Sequence, residues 1–217
     1  ADRFETNLAI LEEAGVKGGE IIVATAWQAG DSLSASATGK PILLVEKDKA
    51  LNDKQVEFLN ELTDAKFYIA GGTSAVADSV KEELSSYTDQ EIERLFGASR
   101  IGTSIRIAEE FFKEPKAAII TYAYKDADGL CGGPLAAELG VPLLLTWDRE
   151  LDATVDYTKA AGINAGYVLG GTGVVSDETV VDIFAVMART YATEHIFNLA
   201  EGEEVYLDNL IFTEDVT

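Results

Sequence analysis

Two stretches of this chain follow one pattern. Phe67-Tyr68-Ile69-Ala70-Gly71-Gly72-Thr73 returns as Tyr167-Val168-Leu169-Gly170-Gly171-Thr172: an apolar run of strand length, two glycines, then a Thr-led polar start to a helix-like segment (74–84 and 175–187). A strand, a tight turn and a helix, used twice, restrict the fold to repeated α/β units. Gly-Gly supplies positive-φ positions or a close backbone approach at the carboxyl end of a strand, where the following helix presents unpaired N–H groups to an anion. A plain tight connection between strand and helix accounts for the same residues, because Gly-Gly falls short of the fuller glycine fingerprints of nucleotide loops.

The repeat extends well beyond these turns. Arg3 and Arg100, Thr6 and Thr103, and Asp31 and Asp128 match at one offset of 97 residues. Each arginine opens an amphipathic segment, the first carrying Leu8, Ile10 and Leu11 and ending at Gly15, the second carrying Ile105, Ile107, Ala108 and Phe111. Next come Ile21-Ile22-Val23-Ala24-Thr25 and Ala118-Ile119-Ile120-Thr121-Tyr122, continuous apolar runs of the kind found in strands covered on both faces. Both aspartates then precede a small-residue helix, and either cap it or meet a ligand or metal ion at the strand's carboxyl end. Pro41-Ile42-Leu43-Leu44-Val45 matches Pro142-Leu143-Leu144-Leu145-Thr146, an apolar strand that begins on a proline.

Just beyond that strand lie Lys47 and Lys49 in the first copy and Trp147 and Arg149 in the second. Cations and an aromatic therefore sit at the carboxyl end, where open α/β sheets bind ligands. Residues 92–96 read as an edge strand of the second copy that the first lacks. After the last helix, residues 196–199 begin a third copy that is not completed, and 205–207 and 210–212 read as further strand material. The expected organisation is two modules, 1–90 and 91–190, each a mostly parallel sheet flanked by helices, followed by an extension over 191–217.

Composition excludes several classes of function. Of 217 residues, 47% are hydrophobic and 25% charged, which suits a globular chain with a sizeable core. Against 17 basic side chains stand 38 acidic ones, for a formal charge of -21, and the acidity is spread along the chain. Such a field repels polyanions at long range and makes nucleic acid an unsuitable partner. An anionic ligand needs locally placed cations or a bridging metal ion. Cys131 is the single cysteine and His195 the single histidine, so neither an internal disulfide nor a histidine metal site can be assembled. No apolar run approaches the roughly 18 residues of a membrane span.

The ordered set of Asp-Arg-x-x-Thr, strand, Asp-x-Leu, Pro-Ile-Leu-Leu, and strand-Gly-Gly-Thr followed by Val76 or Val175 resembles the bacterial cell wall-binding repeat type 2 family. The resemblance covers about residues 1–186 as two copies. It implies Toprim-like α/β modules that anchor surface and S-layer proteins of Gram-positive cells non-covalently to anionic wall polymers. Such a protein is secreted, sits at the cell surface, and commonly carries three modules packed in a ring. The family's Ile-Leu-Leu stretch, implicated in binding, maps onto Ile42, Leu43 and Leu44 and more loosely onto Leu143, Leu144 and Leu145.

The expected contacts to polymer are those residues with Lys40, Lys47, Lys49, Arg149 and the two glycine turns, Gly71, Gly72, Thr73 and Gly170, Gly171, Thr172. No cofactor is expected. A divalent ion bridging Asp31 or Asp128 to the polymer is the alternative to direct cation contact. Two other functions compete: a structural or protein-binding module of a surface assembly, and a Mg²⁺-dependent phosphoryl-transfer enzyme. The enzyme needs several acids converging at strand ends, whereas each copy offers one matched aspartate. Two complete copies where a ring needs three also point to homo-oligomers.

Three outcomes follow from the repeat. Residues 21–73 and 118–172 overlay element by element. Arg3 pairs with Asp31 and Arg100 with Asp128, each within about 4 Å. By light scattering, the intact chain is larger than one ending at Gly202.

Overall fold

Continuous apolar runs become strands because only a position covered on both faces can bury every side chain. Ile21, Ile22, Val23 and Ala24 are all fully buried, as are Ala118, Ile119 and Ile120. A computed structural model of the chain describes residues 2–184. Its first half runs α1 (Arg3–Glu13), β1 (Gly18–Thr25), α2 (Ala29–Ser36), β2 (Ile42–Val45), α3 (Asp53–Asn60), β3 (Thr63–Ala70) and α4 (Asp78–Leu84). After β4 (Glu93–Leu95) the series repeats as α5 (Arg100–Phe111), β5 (Ala117–Tyr122), α6 (Gly132–Leu139), β6 (Leu143–Thr146), α7 (Leu151–Ala161), β7 (Ala165–Leu169) and α8 (Asp177–Ile183). The expected overlay of 21–73 on 118–172 holds in element order and in strand pairing. Residues 196–199 and the 191–217 extension lie outside the described residues.

Both sheets are wholly parallel. The first has strand order β2-β1-β3-β4 and the second β6-β5-β7. Residues 93–95 do not belong to the second copy, as expected from sequence. They pair with β3, Tyr68 opposite Glu93 and Ala70 opposite Leu95, and complete the first sheet. Leu95 is fully buried there, which a free edge in the second sheet would not provide.

The outer edges of β2 and β6 are closed by side chains. Asn7 Nδ2 donates to the Ile42 carbonyl at 2.8 Å and its Oδ1 accepts from the Leu44 N–H at 2.8 Å, so one amide stands in for a neighbouring strand. Ser104, at the matching position of α5, accepts from the Leu145 N–H at 3.1 Å. Gln55 and Thr154 then donate to the Leu44 and Leu145 carbonyls at 2.8 and 3.1 Å. Edges satisfied in this way are poor templates for pairing with another chain.

The helices α1, α3 and α4 cover one face of the first sheet, where Leu8, Leu11, Phe58, Leu59, Val80 and Leu84 pack on Ile21, Val23, Leu43, Phe67 and Ile69. In the second sheet α5, α7 and α8 cover the equivalent face over Ala118, Ile120 and Leu144. The opposite face of the first sheet, Ile22, Ala24, Tyr68 and Ala70, is covered by Ala35 of α2 together with Ile107 and Phe111 of α5. Tyr68 and Phe111 meet edge to face at 4.9 Å. Leu33 and Ala37 in turn join Ile119, Leu143, Leu145 and Ala136 of the second copy. A Cβ on Gly133 of α6 would lie 1.8 Å from Ser36 Oγ, so α2 and α6 approach this closely only because glycine stands there.

The two copies thus share their cores, and the described residues should unfold in one transition. Ile107→Ala is expected to cost about 2–5 kcal/mol by leaving a hole between the halves. Its repeat counterpart Ile10→Ala, on an exposed face, should cost no more than about 0.5 kcal/mol. Urea denaturation of the dilute chain measures both.

Candidate functional site

A sheet ordered β2-β1-β3 reverses its winding between β1 and β3, and the crevice beyond the carboxyl ends there is where such sheets hold ligands. The same place in the second sheet lies between β5 and β7. Each crevice is flanked by one repeated unit. Arg3 Nη1 donates to the Ala26 carbonyl at 2.7 Å, and its guanidinium lies 3.9 Å from the Trp27 ring centre. Arg100 Nη1 donates to the Ala123 carbonyl at 2.9 Å and its guanidinium lies 4.6 Å from the Tyr124 ring centre. A planar, permanently charged guanidinium is suited to doing both at once. The arginine at the start of the helix therefore fixes an aromatic ring two residues past the strand, and both rings stay exposed.

A second cation arrives from the end of β2 or β6. Trp27 Nε1 donates to Glu46 Oε2 at 2.6 Å, and Lys49 Nζ pairs with Glu46 Oε1 at 3.4 Å, so one carboxylate ties the ring to the lysine. In the second copy aromatics replace the acid. Tyr124 meets Trp147 edge to face at 4.8 Å, and the Arg149 guanidinium lies 5.2 Å from the Trp147 ring. Lys47 is exposed, and its backbone carbonyl accepts from the Ala77 N–H at 2.7 Å. Lys40 lies elsewhere, paired with Glu20 at 2.6 Å and set over the Phe111 ring.

Several expectations need correction. Neither Arg3–Asp31 nor Arg100–Asp128 is an ion pair, because both guanidinium groups are spent on a carbonyl and a ring. The aspartates pack instead against the first glycine of their own Gly-Gly turn. A Cβ on Gly71 would lie 2.5 Å from Asp31 Oδ2, and one on Gly170 3.4 Å from Asp128 Oδ2. Neither aspartate caps its helix: Asp31 lies within α2, whose cap is Gln28, and Asp128 precedes Cys131, the cap of α6.

The turns also do not open helices. The Ala75 and Val76 N–H groups bond back to the Gly72 carbonyl, those of Val174 and Val175 to Gly171, and the helices begin only at Asp78 and Asp177. Thr73, Gly171 and Thr172 are exposed, but the helix-terminal anion site expected there is not built. Leu43, Leu143, Leu144 and Leu145 are core side chains with no surface to offer a ligand. Ile42 and Leu44 are half-buried beside Ile107 and Phe111.

Asp31 is the titratable group most affected by the joining of the copies. Burial pushes its carboxyl up, while the Arg100 charge and the Thr103 hydroxyl, both from the second copy, pull it part of the way back. Elsewhere acidity prevails. The groove between α1 and α3 is lined by Glu5, Glu12, Glu57 and Glu61 with Lys54, which suits no anion. Among the described residues no three His, Cys, Asp or Glu side chains converge as metal ligands, and no helix is long and apolar enough to cross a membrane.

Trp27 and Tyr124 were not among the sequence candidates. Their signal was present, since they occupy matched positions at the 97-residue offset of the arginines, but an indole and a phenol do not look alike in a sequence pattern.

A family model for cell wall binding domain 2 (CWB2) matches residues 1–81 and 94–180, the two copies described above. The chain belongs to the CWB2 family. Membership makes it a cell wall-binding chain located at the cell wall. It is 27% identical over 183 residues to the N-acetylmuramoyl-L-alanine amidase LytC of Bacillus subtilis, a match covering 82% of this chain and 36% of the amidase. It is 28% identical over 145 residues to the amidase enhancer of the same organism, covering 66% of this chain and 19% of that protein. The chain thus spans about a third or less of these relatives. Its fold is that of Cwp6 from Clostridium difficile, with a TM-score of 0.75 at 22% identity over 84% of this chain and 30% of Cwp6. Cwp8 of the same organism superposes with a TM-score of 0.69, also at 22% identity, over 85% of this chain and 33% of Cwp8.

Asp31 gives this CWB2 pair a pH dependence of defined sign. Its folded pKa lies above the ordinary aspartate value of 3.8, so its contribution to stability is full below that value and is lost as pH rises through the folded pKa. Asp31→Asn removes this loss. Measured as urea midpoints along a pH series, the variant should gain on the natural chain as pH rises, with the two converging in acid.

Proposed function

We propose that the chain is a non-catalytic anchoring module that holds an anionic cell wall polymer against the carboxyl ends of its two sheets. One observation carries this reading. Both copies expose an aromatic ring held by an arginine and join it to a second cation from the neighbouring strand end. An exposed ring beside a cation suits a repeating saccharide with negative substituents, and two such places on one chain suit a polymer better than a single small molecule. The arginines act as positioning residues, while Trp27, Lys47 and Lys49, and Tyr124, Trp147 and Arg149, make the contacts. Local cations of this kind work against a net charge of -21, so their grip is short-ranged and salt-sensitive. The names of the curated relatives concern amidase activity. We assign the matching portion of each to wall binding, because the family matched is a binding domain and the match leaves most of each relative uncovered.

Sedimentation with purified wall polymer tests this. Retention should fall steadily with added salt, stay unchanged with EDTA, and drop about tenfold, or about 1.4 kcal/mol, in a Lys49→Glu, Arg149→Glu double variant. Loss of binding with EDTA would transfer the contact to a bridging divalent ion. Retention indifferent to salt and to both substitutions would leave a structural or protein-binding module instead.

A further inference from the structure

The contact between the two copies is heterologous: the helix-bearing front of the second docks on the open sheet face and α2 of the first. The first copy carries the same front, and the second carries the same face. On the docked side Ile107 of α5 is 1% exposed, whereas its counterpart Ile10 of α1 is 61% exposed. Tyr68, stacked on Phe111, is 2% exposed, and its counterpart Tyr167 is 47% exposed. Leu33, inserted into the second copy's core, is 6% exposed, and its counterpart Leu130 is 63% exposed. The polar partners repeat in the same way. Asp31 feels Arg100 and Thr103 across the contact. Asp128 is exposed at the equivalent place on the second copy, and Arg3 and Thr6 are exposed on the first.

We propose that a second copy of this chain docks head to tail on the first. Ile10 of its α1 enters the face formed by Leu130, Tyr167 and α6, and Arg3 comes to stand toward Asp128 as Arg100 does toward Asp31. The occupant is set by matching, since the exposed front and the exposed face are the two halves of a contact already formed once within the chain. Exposed Leu135 and Leu139 extend the apolar face along α6, and charge agrees, an arginine meeting an aspartate. A heterologous contact of this kind leaves one front and one face free at each step, so it either closes into a ring or continues. It is separate from polymer binding, because Trp27, Lys49, Trp147 and Arg149 belong to the carboxyl ends and not to this face.

The test uses the full chain and two surface variants, Ile10→Glu and Leu130→Glu, with circular dichroism and thermal melts checking that each folds like the natural chain. Analytical ultracentrifugation over a concentration series should show the natural 23.3 kDa chain associating and each variant alone remaining monomeric. An equimolar mixture of the two should regain a species of twice the monomer mass, because the intact Ile10 front of one can still dock on the intact Leu130 face of the other. That rescue is specific to a head-to-tail contact. A natural chain monomeric at every concentration overturns the proposal, whether residues 185–217 cover the face or nothing does. Variants that associate as well as the natural chain, or a mixture that stays monomeric, overturn it equally.

Discussion

The structure depends on one packing event, the seating of α5 on the open face of the first sheet. A parallel sheet presents two apolar faces, and the first copy's own helices α1, α3 and α4 cover one of them. Its α2, rich in serine, glycine and alanine, is too thin to cover the other. Ile107 and Phe111 supply the missing cover over Ile22 and Tyr68, and Leu33 returns the exchange by entering the second core. Burial of this extent stabilises each large side chain by about 1.5–3 kcal/mol, which exceeds what any surface ion pair in the chain contributes. The copies are therefore halves of one unit, joined at faces that neither could leave in water.

That seating also decides the electrostatics of the polar residues at the joint. Arg100 is drawn to the boundary, where it crosses between a carbonyl and a ring of its own copy and the carboxylate of the other. Arg3 has the same local bonds without a described neighbour across a boundary. Identical local sequence produces one arginine at a joint and one at a surface, and the ring that each arginine fixes stays exposed in both cases. For a chain this acidic, holding a few cations against flat rings at defined strand ends gives short-range purchase on an anion that the long-range field repels.

The repeat, the strands, the parallel order within each half and the location of the ligand end were legible in the sequence, because continuous apolar runs, Pro-led strands and fixed offsets are local signals. The Arg–Asp pairing was not. Offsets show that two residues recur together, but they do not show whether the partner comes from the same copy or the next. The glycine turns misled for a related reason: Gly-Gly marks a tight approach, and the approaching group is the Asp31 or Asp128 carboxylate and not a bound anion. Residues 93–95 carry a strand pattern in either copy, and only the burial of Leu95 against the first sheet assigns them.

By itself the sequence determined that this chain is two α/β copies of a wall-binding repeat, because the period of its apolar residues and the matched turns are written along the backbone. Only the tertiary structure decided which residues stand at the surface. Leu143, Leu144 and Leu145 are core, and Trp27 and Tyr124 are not. Ile10 and Ile107 are the same residue in the same pattern, yet one is exposed and the other buried. The physical reason is that burial at a joint is a property of the pair of surfaces, and a single strand of sequence specifies each surface without stating which one it will meet.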